Sequence, residues 1–502
     1  MLAETSKAEQ GNLFEVYNPA TGEKLATLPA HSTEEVEEAV QRLRIAQADW
    51  AKLSFQERGS RLYKLRRLML EHREALMEVL VAESGKPRFE ALGEILYLSD
   101  IIGYYVKNSA RFLAKKKIWP HLLKTKRTYI TYHPVGVVGV IAPWNYPLVL
   151  TFGDSCIAWL AGNAVALKPS EVTPLTALKM AEFCKEAKLP LEIMTGQAET
   201  GAALIDAADL IAFTGSVATG KKVMERAAKT LTPVLLELGG KDPMIVLKDA
   251  NLTRAVNAAL YGSLCNTGQN CIAVERIYVE EPIYEQFIAK LLKGVATLRQ
   301  GIETAGKANI ELGPMTMPRQ LEIVERQVAD ARAKGAKILT GGQRRTDLPG
   351  NFYEPTILTD VTEEMLIMQE ETFGPLLPII KVRDAEEAVR QANHSRFGLS
   401  SSIWTSNTAK GEALAQQIEA GATCINDILV NYLIVELPFG GIKESGIGTR
   451  HGGAEGIRKF CRTQAIVVDR FQFQQEVNWF PYNKKKTRLL SFIADFMFKR
   501  GQ

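Results

Sequence analysis

Apolar residues in the first third of the chain recur at intervals of three and four. In "STEEVEEAVQRLRIAQADW" they fall at Val36, Ala39, Val40, Leu43 and Ala46, behind Ser32 with Glu35 three residues on. A Ser hydroxyl can accept the backbone N–H of that third position while the Glu reaches back, so the segment predicts a capped helix with one buried face. Two more amphipathic stretches follow: "FQERGSRLYKLRRLMLEHREALMEVLVAESGKP", stopped by Gly85 and Pro87, and "EALGEILYLSDIIGYYVKNSARFLA". From residue 128 the rhythm shortens. "TYITYHPVGVVGVIAPW", "NAVALKPS", "ADLIAFTGS", "PMIVL" and "RIYVE" predict strands. "TPLTALKMAEFCKEA", "VATGKKVMERAAKTL" and residues 252–265 predict helices among them. Such alternation implies parallel sheets covered by helices. The predicted fold class is α/β, with two α/β domains in series, since 502 residues exceed one simple core.

Composition leaves that picture in place and removes other classes. With 46% apolar and 24% charged residues, the chain reads as an ordinary globular protein. Its six cysteines form no CxxC pair and its six histidines no HExxH, so neither a disulfide scaffold nor a metal site is expected. "MLAETSKAEQG" lacks a basic segment leading into an apolar one. No apolar run reaches the roughly 18–20 residues of a membrane span. The expected compartment is the cytoplasm. The net charge of +4 hides a segregation: residues 481–502 hold six Lys and Arg against one Asp, and 111–127 hold seven with no acid. No nucleic-acid-binding module accompanies these clusters, and no nucleic acid partner is expected.

Short stretches carry side chains suited to chemistry. "NTGQNCIAVERIYV" sets one thiol, Cys271, between a glycine-containing turn and an apolar run, as a core thiol or as a nucleophile held at a turn. In "FTGSVATGKK" a strand meets Gly215 and Ser216 and a helix follows. That fits a plain turn, or a phosphate seat made by helix N-terminal N–H groups and a small hydroxyl, with Gly215 and Gly220 allowing close approach. "ALKPSEVTP" ends a strand on Lys168 and Glu171, either a surface ion pair or a ribose-binding pair at the carboxyl edge of a parallel sheet. "LELGGKDP" sets Glu237 between leucines, where a carboxylate has a raised pKa and can act as a base, or can cap or pair instead. "VIAPWNYPL" holds Asn145 on a proline-bracketed turn, as an oxyanion donor or as an amide satisfying its own turn.

In order along 143–448 stand "PWNYP", "LKPSE", "FTGS", "LELGGKDP", "GQNC", "EETFGPLLPI" and "PFGGIKESGIG". Together they resemble the NAD(P)-dependent aldehyde dehydrogenase superfamily, from "YNPATGE" at 17 to about 470. The resemblance implies two Rossmann-like α/β domains plus a small β oligomerisation flap, in a homodimer or homotetramer. Residues 1–120 and 141–239 would bind NAD, and 240–450 would carry catalysis. Segments 121–140 and 451–480 would serve oligomerisation and bridging, with 481–502 a basic amphipathic tail. By the same resemblance Cys271 would be the nucleophile and Glu237 the general base. Asn145 and the Cys271 N–H would form the oxyanion hole. Lys168 and Glu171 would hold the adenosine ribose, and Ser216 with Gly215 and Gly220 the pyrophosphate. Glu371 would hold the nicotinamide ribose beside Phe373, and Trp144 and Leu238 would line the cofactor cleft. Gly268 and Gln269 would shape the turn that presents the thiol. Glu237 points to water as acyl acceptor and hence to a carboxylic acid product. Glu171 favours NAD, with NADP possible. Cys156, Cys184, Cys265, Cys424 and Cys461 sit in apolar patterns and are expected to be inert. The "LEIM" link at 191–194 is shorter than the family's.

The substrate end is read from "INDILVNYLIVELPFGG", 425–441, which resembles the class 3 and fatty-aldehyde members. Ile428, Leu429, Leu433, Ile434 and Val435 would form an apolar mouth for a medium-chain, long-chain or aromatic aldehyde, or would face the core. Succinic semialdehyde is the alternative substrate. It needs a cation near Cys271; Arg276 is close in sequence, either in that role or in a structural one. In "KKKTRLLSFIADFMFKRGQ", Leu489, Leu490, Phe492, Ile493, Phe496 and Met497 fall on one helical face with basic residues at both ends. That suits peripheral membrane contact through 484–500, or packing on the enzyme or a neighbouring subunit.

Overall fold

The computed structural model describes residues 13–303 and 309–499. The expectation about the first eleven residues lies outside that set, as do residues 500–502 of the predicted tail. The chain divides into a large unit, 1–113 with 133–462, and a small one, 114–132 with 463–502.

The large unit holds two main sheets. The six-stranded sheet runs Gly446–Ile447, Val234–Glu237, Leu210–Thr214, Val137–Ile141, Ala164–Lys168, Leu191–Ile193. It is parallel except for its first strand, which pairs antiparallel with Val234–Glu237. Ala164–Lys168 and Leu210–Thr214 are buried along their whole length. Continuous apolar runs of that kind need helices on both faces of a sheet. The seven-stranded sheet runs Lys337–Thr340, Thr356–Thr359, Leu376–Val382, Val274–Glu280, Asp242–Val246, Ser400–Trp404, Ala422–Ile425, antiparallel only at Lys337–Thr340. Between Glu237 and Asp242 the chain leaves one sheet and enters the other.

Helix Thr33–Trp50 starts at the predicted capping box of Ser32 and Glu35, and Phe55–Glu71 starts at a second box of Ser54 and Glu57. The second amphipathic pattern is two helices, Phe55–Glu71 and Arg73–Ser84. It breaks at His72, whose ring stacks on Phe183 at 5.4 Å. An antiparallel hairpin, Leu13–Tyr17 with Lys24–Pro29, precedes the first helix. Periodicity did not mark it, because only Phe14 and Val16 in it are buried.

The small unit carries the three-stranded sheet, Cys461–Asp469, Lys126–Pro134, Lys116–Ile118, and helix Lys484–Phe498. The predicted bridging segments, 121–140 and 451–480, include elements that lie in the large unit. Val137–Ile141 is an interior strand of the six-stranded sheet, with Val137 and Val138 fully buried. Gly453–Arg458 is a helix packed on Arg88–Phe112 and Val149–Ala161. Among the described residues no helix is long and apolar enough to cross a membrane.

Candidate active site

Strand Val234–Glu237 delivers Glu237 at its carboxyl end, where parallel sheets bind ligands. Cys271 arrives from the other sheet, just before strand Val274–Glu280. The two meet because Gly240 passes close to the thiol turn: a Cβ there would lie 2.3 Å from the Cys271 carbonyl oxygen. The turn ahead of Cys271 is strained. Asn266, Thr267 and Gly268 have φ of 51°, 57° and 76°, left-handed backbone that is costly for the first two. Hydrogen bonds hold it. Asn266 Nδ2 donates to Asn145 O at 3.0 Å and Gln269 O at 3.2 Å, and Thr267 Oγ1 donates to Gly313 O at 3.1 Å. Gln269 Oε1 accepts from Thr316 N at 2.8 Å, and Glu90 accepts from Asn266 N at 2.9 Å. At Gly268 a Cβ would stand 2.2 Å from Gly374 O. Gly268 and Gln269 both lie in this turn.

Glu237 is 3% exposed, and neither carboxyl oxygen has a hydrogen-bond partner. Burial pushes its pKa up to about 7, with the Arg450 charge and the Cys271 thiol pulling it back. The half-buried Cys271 thiol is itself held well above its ordinary pKa, by burial first and by Glu237 second. The thiol donates to Asn270 Oδ1 at 3.8 Å, beside a carboxyl whose pKa burial has pushed toward neutrality. Asn145 is buried and donates one Nδ2 hydrogen to Gln269 O at 3.1 Å. An amide nitrogen carries two, so one N–H remains for a ligand. Asn145 and Asn266 share the Gln269 carbonyl, which ties the amide to the thiol turn.

Three buried charge clusters position these groups, and sequence reading missed all of them. Lys86 and Glu94 form an ion pair with side chains 0% and 2% exposed. Lys86 Nζ donates to Asn145 O at 2.9 Å, and Glu94 accepts from Leu148 N and Val149 N at 3.0 and 3.1 Å. The pair ties the middle of the proline-bracketed turn to the start of the helix that follows it. Lys241 and Glu275 pair at 2.7 Å, and Glu275 accepts from Thr372 N and Phe373 N at 2.7 and 2.8 Å. That fixes the Glu371 loop, including Phe373 at φ 51°. Arg450 pairs with Asp154 at 3.2 Å and bonds to Thr214 Oγ1. Tyr432 lies within electrostatic reach of Arg450, Glu237 and Cys271. Glu94 sits on the buried face of an apolar helix, and Arg450 comes two residues after "PFGGIKESGIG". Charged residues at core positions were the available signals.

The expected cofactor residues fall on the carboxyl side of the six-stranded sheet. Ser216 is the exposed N-cap of helix Val217–Ala227 and accepts from Thr219 N at 3.3 Å, and Gly215 N donates to Glu237 O at 3.1 Å. Gly220 and Leu238 pack on each other: a Cβ at Gly220 would lie 2.5 Å from Leu238 Cδ2. Both bring helix and strand together. Lys168 is buried and its amine pKa is lowered by burial. It pairs at 3.5 Å with Glu171, whose side chain is 45% exposed. Trp144 and Phe373 meet edge to face at 5.4 Å. Glu371 Oε1 accepts from Gly240 N at 3.1 Å, and burial, then Glu275, push its pKa up to about 8. An open helix N-terminus, a small hydroxyl and an exposed carboxylate fit a dinucleotide's pyrophosphate and ribose.

Both substrate-end readings leave a structural role open. Ile428, Leu429 and Val435 are core residues, while Leu433 and Ile434 are exposed. Arg276 is 1% exposed and donates to the carbonyls of Lys241 and Ala392 at 2.9 and 3.0 Å, so it braces backbone. Of the other thiols, Cys156 and Cys184 are buried, with pKa values raised by burial, and Cys265 lies 3.9 Å from Tyr146 OH.

A model described as the aldehyde dehydrogenase family matches residues 5–466. The chain is 41% identical over 488 residues to 4,4'-diapolycopene aldehyde oxidase of Methylomonas sp, covering 96% of this chain and 90% of that one. It is 42% identical over 455 residues to the Mycobacterium ulcerans (strain Agy99) protein named "Putative succinate-semialdehyde dehydrogenase (NADP(+)) 2", covering 90% and 87%. Among solved structures, betaine aldehyde dehydrogenase from Staphylococcus aureus in complex with NAD+ superposes with a TM-score of 0.87 at 32% identity, covering 94% of each chain. Aldehyde dehydrogenase from Brucella melitensis biovar abortus 2308 gives 0.87 at 35% identity, covering 92% and 95%.

Proposed function

Since the chain belongs to the aldehyde dehydrogenase family, we propose that it oxidises an apolar aldehyde to its carboxylic acid through Cys271. The observation that carries this reading is Glu237, a carboxyl buried close to the Cys271 thiol with both oxygens unbonded, its pKa pushed up by burial to about 7. A base poised there can take the thiol proton as the sulfur adds to the aldehyde carbon. The developing oxyanion accepts the remaining Asn145 Nδ2–H and the Cys271 N–H; one such donor is typically worth roughly 3–4 kcal/mol. A bound nicotinamide dinucleotide would supply the acceptor for the hydride on that carbon. Cys271 is left as a thioester. Glu237 first releases the thiol proton to solvent; it then takes a proton from water as the water oxygen adds to the thioester carbon, the C–S bond breaks to free the carboxylic acid, and Glu237 returns its proton to the sulfur.

Ser216, Lys168, Glu171 and Glu371 would hold the dinucleotide, with Trp144 and Phe373 beside it. The exposed Glu171 carboxylate disfavours a ribose phosphate, so NAD is the preferred form. The six-stranded sheet is read as the cofactor domain and the seven-stranded sheet as the catalytic one. The three-stranded sheet, whose edge strand Lys116–Ile118 is exposed throughout, is read as the element joining a homodimer or homotetramer in the cytoplasm.

An apolar substrate is supported by the exposed Leu433, Ile434 and Leu437. It is also supported by the Methylomonas relative, whose name gives diapolycopene aldehyde as its substrate. A dianionic acid product would need a free cation, yet Arg276 and Arg450 are engaged by backbone and by Asp154. Succinic semialdehyde is the second reading, favoured by the Mycobacterium ulcerans relative's name. Initial rates of nicotinamide reduction, measured across short, long, aromatic and succinic aldehydes, test both. Rates rising with chain length and lost in Cys271→Ala support the proposal. A sharp preference for succinic semialdehyde sinks the substrate reading, and activity surviving Cys271→Ala sinks the mechanism.

A further inference from the structure

Helix Lys484–Phe498 in the small unit has no buried residue. Leu489, Leu490, Phe492, Phe496 and Met497 are all exposed, and with the half-buried Ile493 they occupy one continuous arc of the helix. Phe492 and Phe496 stack at 6.2 Å, so the arc is an ordered apolar surface. Most helices owe their stability to burying such a face. Trp479, Phe480 and Tyr482, just ahead of the helix, are exposed as well.

Charge says what covers this face. The small unit holds thirteen Lys and Arg against three Asp and Glu, a net +10 in a chain whose total is +4. Lys484, Lys485 and Arg488 crowd the amino end of the helix itself. Cations bordering an aliphatic and aromatic arc match a bilayer interface: acyl chains take the leucines, aromatic rings sit at headgroup level, and ammonium and guanidinium groups neutralise headgroup phosphates. Fifteen residues make a helix of about 22 Å, which is too short to span. A nucleic acid would satisfy the cations but leave Leu489, Leu490 and Met497 in water.

We propose that this unit docks on an anionic phospholipid surface, with helix Lys484–Phe498 lying in the interface plane. The inference deepens the apolar-aldehyde reading and rests on it for its purpose, since an aldehyde of that kind partitions into bilayers. Binding is scored without substrate, so the two fail separately. The test is flotation of the full chain with vesicles of phosphatidylcholine and phosphatidylglycerol, roughly one-third anionic. The full chain should float with these and not with phosphatidylcholine alone. Phe492→Glu with Phe496→Glu should cut the bound fraction at least about tenfold. Lys484→Gln with Lys485→Gln and Arg488→Gln should weaken binding by up to about a hundredfold. Turnover of a short, water-soluble aldehyde should be unchanged in every variant. A full chain left at the bottom of the gradient overturns the proposal, and so does a Phe492→Glu, Phe496→Glu variant that floats as well as the parent. If that variant instead changes oligomeric mass in sedimentation without vesicles, the face is a subunit contact and the proposal is wrong.

Discussion

Glu237→Gln should make the protein more stable and less active, with a pH signature. The carboxyl is buried with both oxygens unbonded, and its pKa is about 7 against an ordinary 4.5. Between those values the folded chain binds a proton that the unfolded chain has lost. Stability therefore falls as pH rises through that window. Each pKa unit corresponds to about 1.4 kcal/mol, so above neutrality the ionised carboxylate costs about 3 kcal/mol. Gln has nearly the same shape and never ionises. The variant should match the parent below about pH 4.5 and exceed it by about 3 kcal/mol at pH 8. For a chain of this length that is about 3 °C in Tm, compared at one scan rate. Activity should fall by about 10²–10⁴-fold, the usual worth of a positioned base. A Tm difference that does not change with pH, or one that favours the parent at pH 8, would refute the placement of an unpaired, ionisable carboxyl here.

Lys86→Met strands the Glu94 charge in the interior and should cost about 3–5 kcal/mol in denaturant unfolding, whereas Lys86→Met with Glu94→Leu should recover much of that loss. Gly268→Ala forces a Cβ onto Gly374 O in left-handed backbone, so kcat should drop while a distant probe such as near-ultraviolet circular dichroism stays native. Asn145→Ala should lower kcat by about 10²–10³-fold with little change in the binding of a dinucleotide, measured by fluorescence titration.

How legible the site was depended on how local each contact is. The capping boxes at Ser32 and Ser54 were there to be read because their partners are three residues apart. Cys271, Glu237 and Asn145 could be named because each lies in a short run whose order along the chain is specific. Glu94 lay inside an amphipathic helix pattern, where a single acid at a core position reads as a break in the period. Its ties to Leu148 and Val149 span more than fifty residues. The candidate mouth residues divide for the same reason. Period alone cannot tell Val435, in the core, from Ile434, in water.

Sequence alone determined the α/β class, the helix starts, the order of the reactive residues and the uneven charge, since these follow from neighbours along the chain and from residue chemistry. Tertiary structure alone decided which charges are buried and what they hold. It tied Lys86 to the Asn145 carbonyl, Glu275 to the amides of Thr372 and Phe373, and Arg450 to Asp154. It also raised the Glu237 pKa toward neutrality. Desolvation and charge pairing depend on distance in space, which only the folded chain sets.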